Sequence, residues 1–102
     1  MSQGQPEATA SIQIDDLNVK QLYTNFCRVT STPEELVLDL GLNMSPMVEP
    51  GQSQKVTIEH RVVMSPYTAK RLASLLGATI ARYEQAFGPL ETDPRKRVGR
   101  AQ

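Results

Sequence analysis

A chain of 102 residues with 11 basic and 11 acidic side chains has the length of one domain and no net charge to draw it to nucleic acid. With 39% hydrophobic and 22% charged residues it has the composition of an ordinary soluble globular protein, and no apolar run approaches the roughly 18–20 residues a membrane helix needs. One cysteine, Cys27, excludes an internal disulfide, and beside the lone His60 it does not make a zinc ligand set.

The N-terminal "MSQGQPEATAS" has neither the basic nor the apolar region of a secretory signal, so the cytoplasm is the expected location. Residues 1–10 are too polar to bury surface and are expected to be disordered. "SIQIDD" alternates Ile12 and Ile14 with polar residues and is a weak candidate for an edge strand. "KQLYTNFCRVTST" is rich in aromatic and β-branched residues and reads as a strand. Its faces are Leu22, Thr24, Phe26 and Arg28 against Tyr23, Asn25, Cys27 and Val29, and neither is cleanly polar. Pro33 then marks a tight turn into "ELVLDLGLN". There Leu36, Leu38, Leu40 and Leu42 share one face of a period-2 strand, which forms an antiparallel hairpin with the strand before it.

The aperiodic "NMSPMVEPGQSQ", with Pro46, Pro50 and Gly51, is a long connection, expected to be a mobile loop. "KVTIEHRVVM" is the next strand, with Val56, Ile58, His60, Val62 and Met64 expected on one face. In "SPYTAKRLASLLGATIARYEQAFGPL", Ser65 is a good N-cap and Pro66 suits the first helical position. Ala69, Leu72, Ala73, Leu76, Ile80, Tyr83 and Phe87 then make one apolar stripe, with Leu75 beside it, before Gly88 and Pro89 stop the helix. "LETDPRKRVGRAQ" has no periodicity and is expected to be a disordered basic tail over 89–102.

The elements predict one α+β domain over residues 11–88, a three- to four-stranded antiparallel sheet followed by one long C-terminal helix in two layers. The helix is expected to fold back and cover one face of the sheet; it cannot cover both, so a symmetric homo-oligomer, a dimer or a dimer of dimers, is expected at the far face. Charge is segregated as well. Residues 1–64 carry four bases against eight acids, net −4; residues 65–102 carry seven bases against three acids, net +4.

"YTNFCRVTSTPEELVLDLGLN" and "VVMSPYTAKRLASLLGATIARYEQAFG" resemble a short bacterial domain-of-unknown-function family (the 3467 type). Its members share an aromatic-Asn-Phe-x-Arg-Val strand, a Ser-Pro-Glu hairpin leading to Leu-Asp, a strand ending in Ser-Pro, then Ala-Lys-Arg-Leu and a terminal Tyr-Glu-x-x-Phe-Gly. The matching positions are Tyr23, Asn25, Phe26, Arg28, Val29, Pro33, Glu34, Leu38, Asp39, Ser65, Pro66, Ala69, Lys70, Arg71, Leu72, Tyr83, Glu84, Phe87 and Gly88. Thr32, Leu36 and Tyr67 depart from the pattern, standing where Ser, an aromatic and Glu are usual. The resemblance spans about residues 20–88 and implies the fold but no activity. In outline the order of strands and helix is also similar to SecB-type export chaperones, an analogy of topology that carries no function by itself.

Candidate chemistry is sparse. His60 has no nucleophile or carboxylate at a recognisable spacing and reads as a structural histidine. Cys27 reads as a small buried hydrophobe. The carboxylates form no catalytic or metal pair, and Glu34 and Glu35 read as solvated turn charges. No phosphate loop or dinucleotide fingerprint is present, so no enzymatic activity, cofactor or small-molecule substrate is expected. Asn25 and Arg28 are polar positions in an apolar strand. Arg28 is expected to pair with Asp39 or Glu59 across the sheet, with anion or peptide recognition as the alternative.

Two functional readings follow. In the first, the domain is an oligomeric protein-interaction module that takes an extended or unfolded peptide on a sheet edge or beside the helix. In the second, Lys70, Arg71, Arg82 and a tail containing Arg95, Lys96 and Arg97 bind nucleic acid. Zero net charge and the lack of a continuous basic face disfavour it.

Overall fold

A computed structural model describes residues 10–44 and 50–100, the last three by their backbone alone. Three strands, β1 (Phe26–Ser31), β2 (Leu36–Leu42) and β3 (Thr57–Met64), form one antiparallel sheet in the order β1-β2-β3. A long helix, α1 (Pro66–Phe87), follows, and a short one, α2 (Pro94–Arg100), ends the described chain. The expectations for residues 1–9, for 45–49 of the long loop and for 101–102 lie outside the described residues.

The β1–β2 hairpin closes as its turn chemistry dictates. Pro33 presets the backbone, the Thr32 amide donates to the Glu35 carbonyl at 2.9 Å, and Thr32 Oγ1 accepts from the amides of Glu34 and Glu35. Pairing Ser31 with Leu36 sets the register, so that Cys27 faces Leu40, Arg28 faces Asp39 and Val29 faces Leu38. At the open end, side chains take over from the ladder. The Asn25 amide group donates to the Asn43 carbonyl and accepts from its N–H at 2.7 Å, while Thr24 Oγ1 donates to the Gly41 carbonyl. The strand expected from residue 20 therefore begins only at Phe26.

Between β2 and β3 the pairing steps from Leu40–His60 to Gly41–Ile58, leaving Glu59 as the extra residue of a β-bulge. A one-residue slip exchanges faces. His60, Val62 and Met64 stay with the leucines of β2, but Ile58 crosses to the Asp39 side, against the continuous alternation expected of this strand. Gly41 is required here: a Cβ at this position would sit 2.7 Å from the Thr57 carbonyl oxygen and 3.1 Å from Val56 Cγ1.

"SIQIDD" is not a strand. The segment has no neighbouring ladder, Ile12 and Ile14 are exposed, and Asp15 Oδ1 turns the chain by accepting from the Leu17 amide. The sheet thus has three strands. The tail also differs from expectation, since 94–100 is helical. Asp93-Pro94 repeats the Ser65-Pro66 device, with Pro94 in the first turn and Asp93 Oδ1 accepting from the Arg95 amide at 3.0 Å.

Helix α1 is bounded as its sequence predicts. Ser65 (φ −72°, ψ 156°) caps it by accepting from the Thr68 amide, Pro66 opens it, and Gly88 at φ 97° ends it with its amide on the Glu84 carbonyl. At 22 residues it is about 33 Å long. It does not lie on its own sheet. None of its residues is buried, and the extensive packing between elements is confined to β1 with β2 and β2 with β3. The two layers are present, but they are not mated within one chain. The cause is the junction. A single residue links Met64 to Pro66, where a reversal needs a loop of about 2–6 residues, and the residue before a proline is held extended. The chain is accordingly drawn out, 65 × 33 × 32 Å with a radius of gyration of 19.3 Å. A compact chain of this length has about 13 Å.

Candidate functional site

A polar trio spans the three strands. The register sets Arg28, Asp39 and Arg61 side by side on one face. Asp39 accepts from Arg28 Nη2 at 2.6 Å and Nε at 3.1 Å, and from Arg61 Nε at 2.7 Å and Nη2 at 3.2 Å. The two guanidinium groups lie over the carboxylate and reduce the exposure of Asp39 to 1%, while remaining about half exposed themselves.

Hydrogen bonds from Arg61 first and Arg28 second hold the Asp39 pKa down at about 2, and the same bonds raise that of Arg61. A carboxylate so occupied is not a general base. The trio instead pins the register of all three strands and leaves a net positive patch with outward N–H groups. The expected Arg28 partner is Asp39, and Glu59 is the bulged residue. Arg61 was not anticipated, because the register of β3 on β2 is set across a long connection and no tight turn fixes it.

Asn25 is structural, since its side chain continues the ladder onto Asn43. Lys70 and Arg71 are exposed in the first turns of α1, and line a shallow recess with Ser74 and Leu75. Arg71 and Arg82 each donate to a threonine one turn earlier, Thr68 and Thr79. Eleven residues separate Arg71 from Arg82, about 17 Å along the helix, so the two do not make one patch. Arg95 pairs with Asp93 at 3.6 Å, and Lys96 and Arg97 are exposed in α2. Cys27, expected to be buried, is exposed because the face it lies on is uncovered. His60 is exposed beside it on the same face.

The dominant surface is apolar. The leucine face gathers Leu36, Leu38, Leu40 and Leu42, with Cys27 and Val29 on one side and Val62 and Met64 on the other. Val29 is 58% and Val62 40% exposed. Along α1, Leu76, Ile80, Tyr83 and Phe87 are between 44% and 75% exposed, with the Tyr83 and Phe87 rings in tilted contact, their centroids 4.8 Å apart. No hydrophobic side chain among the described residues is buried.

Among the described residues no three His, Cys, Asp or Glu side chains cluster as metal ligands, and no helix is long and apolar enough to cross a membrane. No curated protein and no solved structure matches the chain. Residues 1–92 match a family model described as "Protein of unknown function (DUF3467)", and with nine-tenths of its length so covered the chain belongs to that family.

Proposed function

We propose that this protein is a non-enzymatic, homo-oligomeric protein-interaction module of the cytoplasm. One observation carries the reading: no hydrophobic side chain among the described residues is buried within the single chain. Ordering a residue costs about 1–2 kcal/mol of backbone entropy, and burial of apolar surface is the main term that offsets it. A sheet with a leucine row and a helix with an apolar stripe therefore complete their core against other polypeptide. Assembly of copies is the first such interaction. Among the described residues no strand pairs with the outer edges of β1 and β3, and these edges are suited to adding an extended peptide as a further strand.

Sedimentation velocity across a concentration series tests the assembly, and binding of a permanently unfolded polypeptide to the assembled protein tests the peptide site. A monodisperse folded monomer that ignores unfolded chains contradicts the reading. Nucleic-acid binding through Lys70, Arg71, Arg82, Arg95, Lys96 and Arg97 is the second reading, supported by their position on the helical half that carries net charge +4. A salt-titrated assay with DNA and RNA, with and without residues 89–102, decides it. Loss of binding with the tail, at low salt, is the positive result.

A further inference from the structure

The sheet and the helix of this chain each leave an apolar face unmated. We propose that two copies assemble by exchanging helices, the apolar stripe of α1 in each copy lying on the leucine face of the other's sheet. This rests on the homo-oligomeric reading above and specifies its geometry.

Two observations choose the occupant and the face. First, each chain holds both halves of a two-layer core and joins them through Ser65 alone, whose extended backbone before Pro66 carries the helix away from its own sheet. Short rigid hinges of this kind favour mating between chains over mating within one. Second, the faces differ. The Asp39 face is crossed at its centre by the Arg28–Asp39–Arg61 trio, and a helix laid there would desolvate two guanidinium groups that are now half in water. The leucine face carries no Asp, Glu, Lys or Arg along its central row, and at about 23 Å for the seven residues of β2 it accommodates roughly four turns of helix.

The native thiol supplies the test, because Cys27 is the only cysteine and lies on the leucine face opposite Leu40. Full-length wild type, with its cysteine on the sheet, is refolded together with a full-length Cys27→Ser/Ala73→Cys variant, whose cysteine is on the helix stripe. A short bis-maleimide is then added. A link between the two different chains is necessarily intermolecular. Effective concentrations of millimolar order within an assembly, against micromolar in solution, put this product about tenfold or more above that from a Cys27→Ser/Ala78→Cys control on the opposite side of the helix. Ala69→Cys is the alternative stripe position should Ala73→Cys fail to fold.

The sedimentation of the same mixture separates the two claims. Monomers with no product overturn the oligomer and the exchange together. A dimer that links helix to helix, through 73 on both chains, or gives equal yields at 73 and 78, keeps the oligomer and overturns the exchange.

Discussion

Replacing Leu76 perturbs assembly most directly, because the side chain lies at the centre of the α1 stripe and is 55% exposed in the single chain. Full burial of a leucine is worth about 1.5–3 kcal/mol, so burying the half that remains in water contributes about 1 kcal/mol. A symmetric dimer counts the contribution twice. Leu76→Ala should therefore weaken association by about 2 kcal/mol, close to 30-fold in Kd. Leu76→Asp also forces two carboxylates into the apolar contact, each costing on the order of 2 kcal/mol or more, and raises Kd by about 10,000-fold or more. Sedimentation velocity over a wide concentration range reads both effects. The order wild type, Ala, Asp in dissociation constant is expected, and an unchanged assembly in Leu76→Asp would refute the role given to the stripe.

Other expectations follow from the fold. Gly41→Ala places a Cβ against the Thr57 carbonyl, a backbone atom that moves only with β3, and should cost about 1–3 kcal/mol in urea unfolding. Ser65→Ala removes the acceptor of the Thr68 amide and should cost about 1 kcal/mol, with Ser65→Asp restoring most of it. Asp39 has a pKa of about 2 when folded, below the roughly 3.9 of an unfolded aspartate, so its contribution is complete above pH about 4 and is lost as pH falls to about 2. Asp39→Asn should be less stable than wild type at pH 7, and the gap should close through that interval.

Much of the fold is legible because its punctuation is local. Pro33, Ser65-Pro66 and Gly88 each act through backbone geometry and a nearby hydrogen bond, and the turn, the cap and the stop fall where they predict. The leucine row of β2 is visible for the same reason, since strict alternation needs no knowledge of partners. Arg28 opposite Asp39 also follows from the hairpin register.

Other features depend on relations between distant segments. The bulge at Glu59 moves Ile58 to the other face, and nothing in the alternation of "KVTIEHRVVM" records that slip; Arg61 meets Asp39 through the β2–β3 register, which no tight turn fixes. Period-2 patterning in "SIQIDD" needs a neighbouring ladder to become a strand, and it has none. Asp93-Pro94 was readable by the rule that located the start of α1, but the lack of an apolar stripe after it hid the short helix. The separation of α1 from the sheet was also written in the single residue between Met64 and Pro66. Amphipathic pattern says that a stripe must be covered, and only the length of the hinge says by which chain.

The central claim is that the core of this protein is made between chains, and the concentration dependence of its thermal unfolding tests it most directly. When folding and association are one event, Tm rises with protein concentration by mass action. A Tm that climbs steadily over a 100-fold range, with loss of structure on dilution, is the predicted result. A cooperative Tm that stays constant over that range, for a species that sediments as a monomer, would contradict the account.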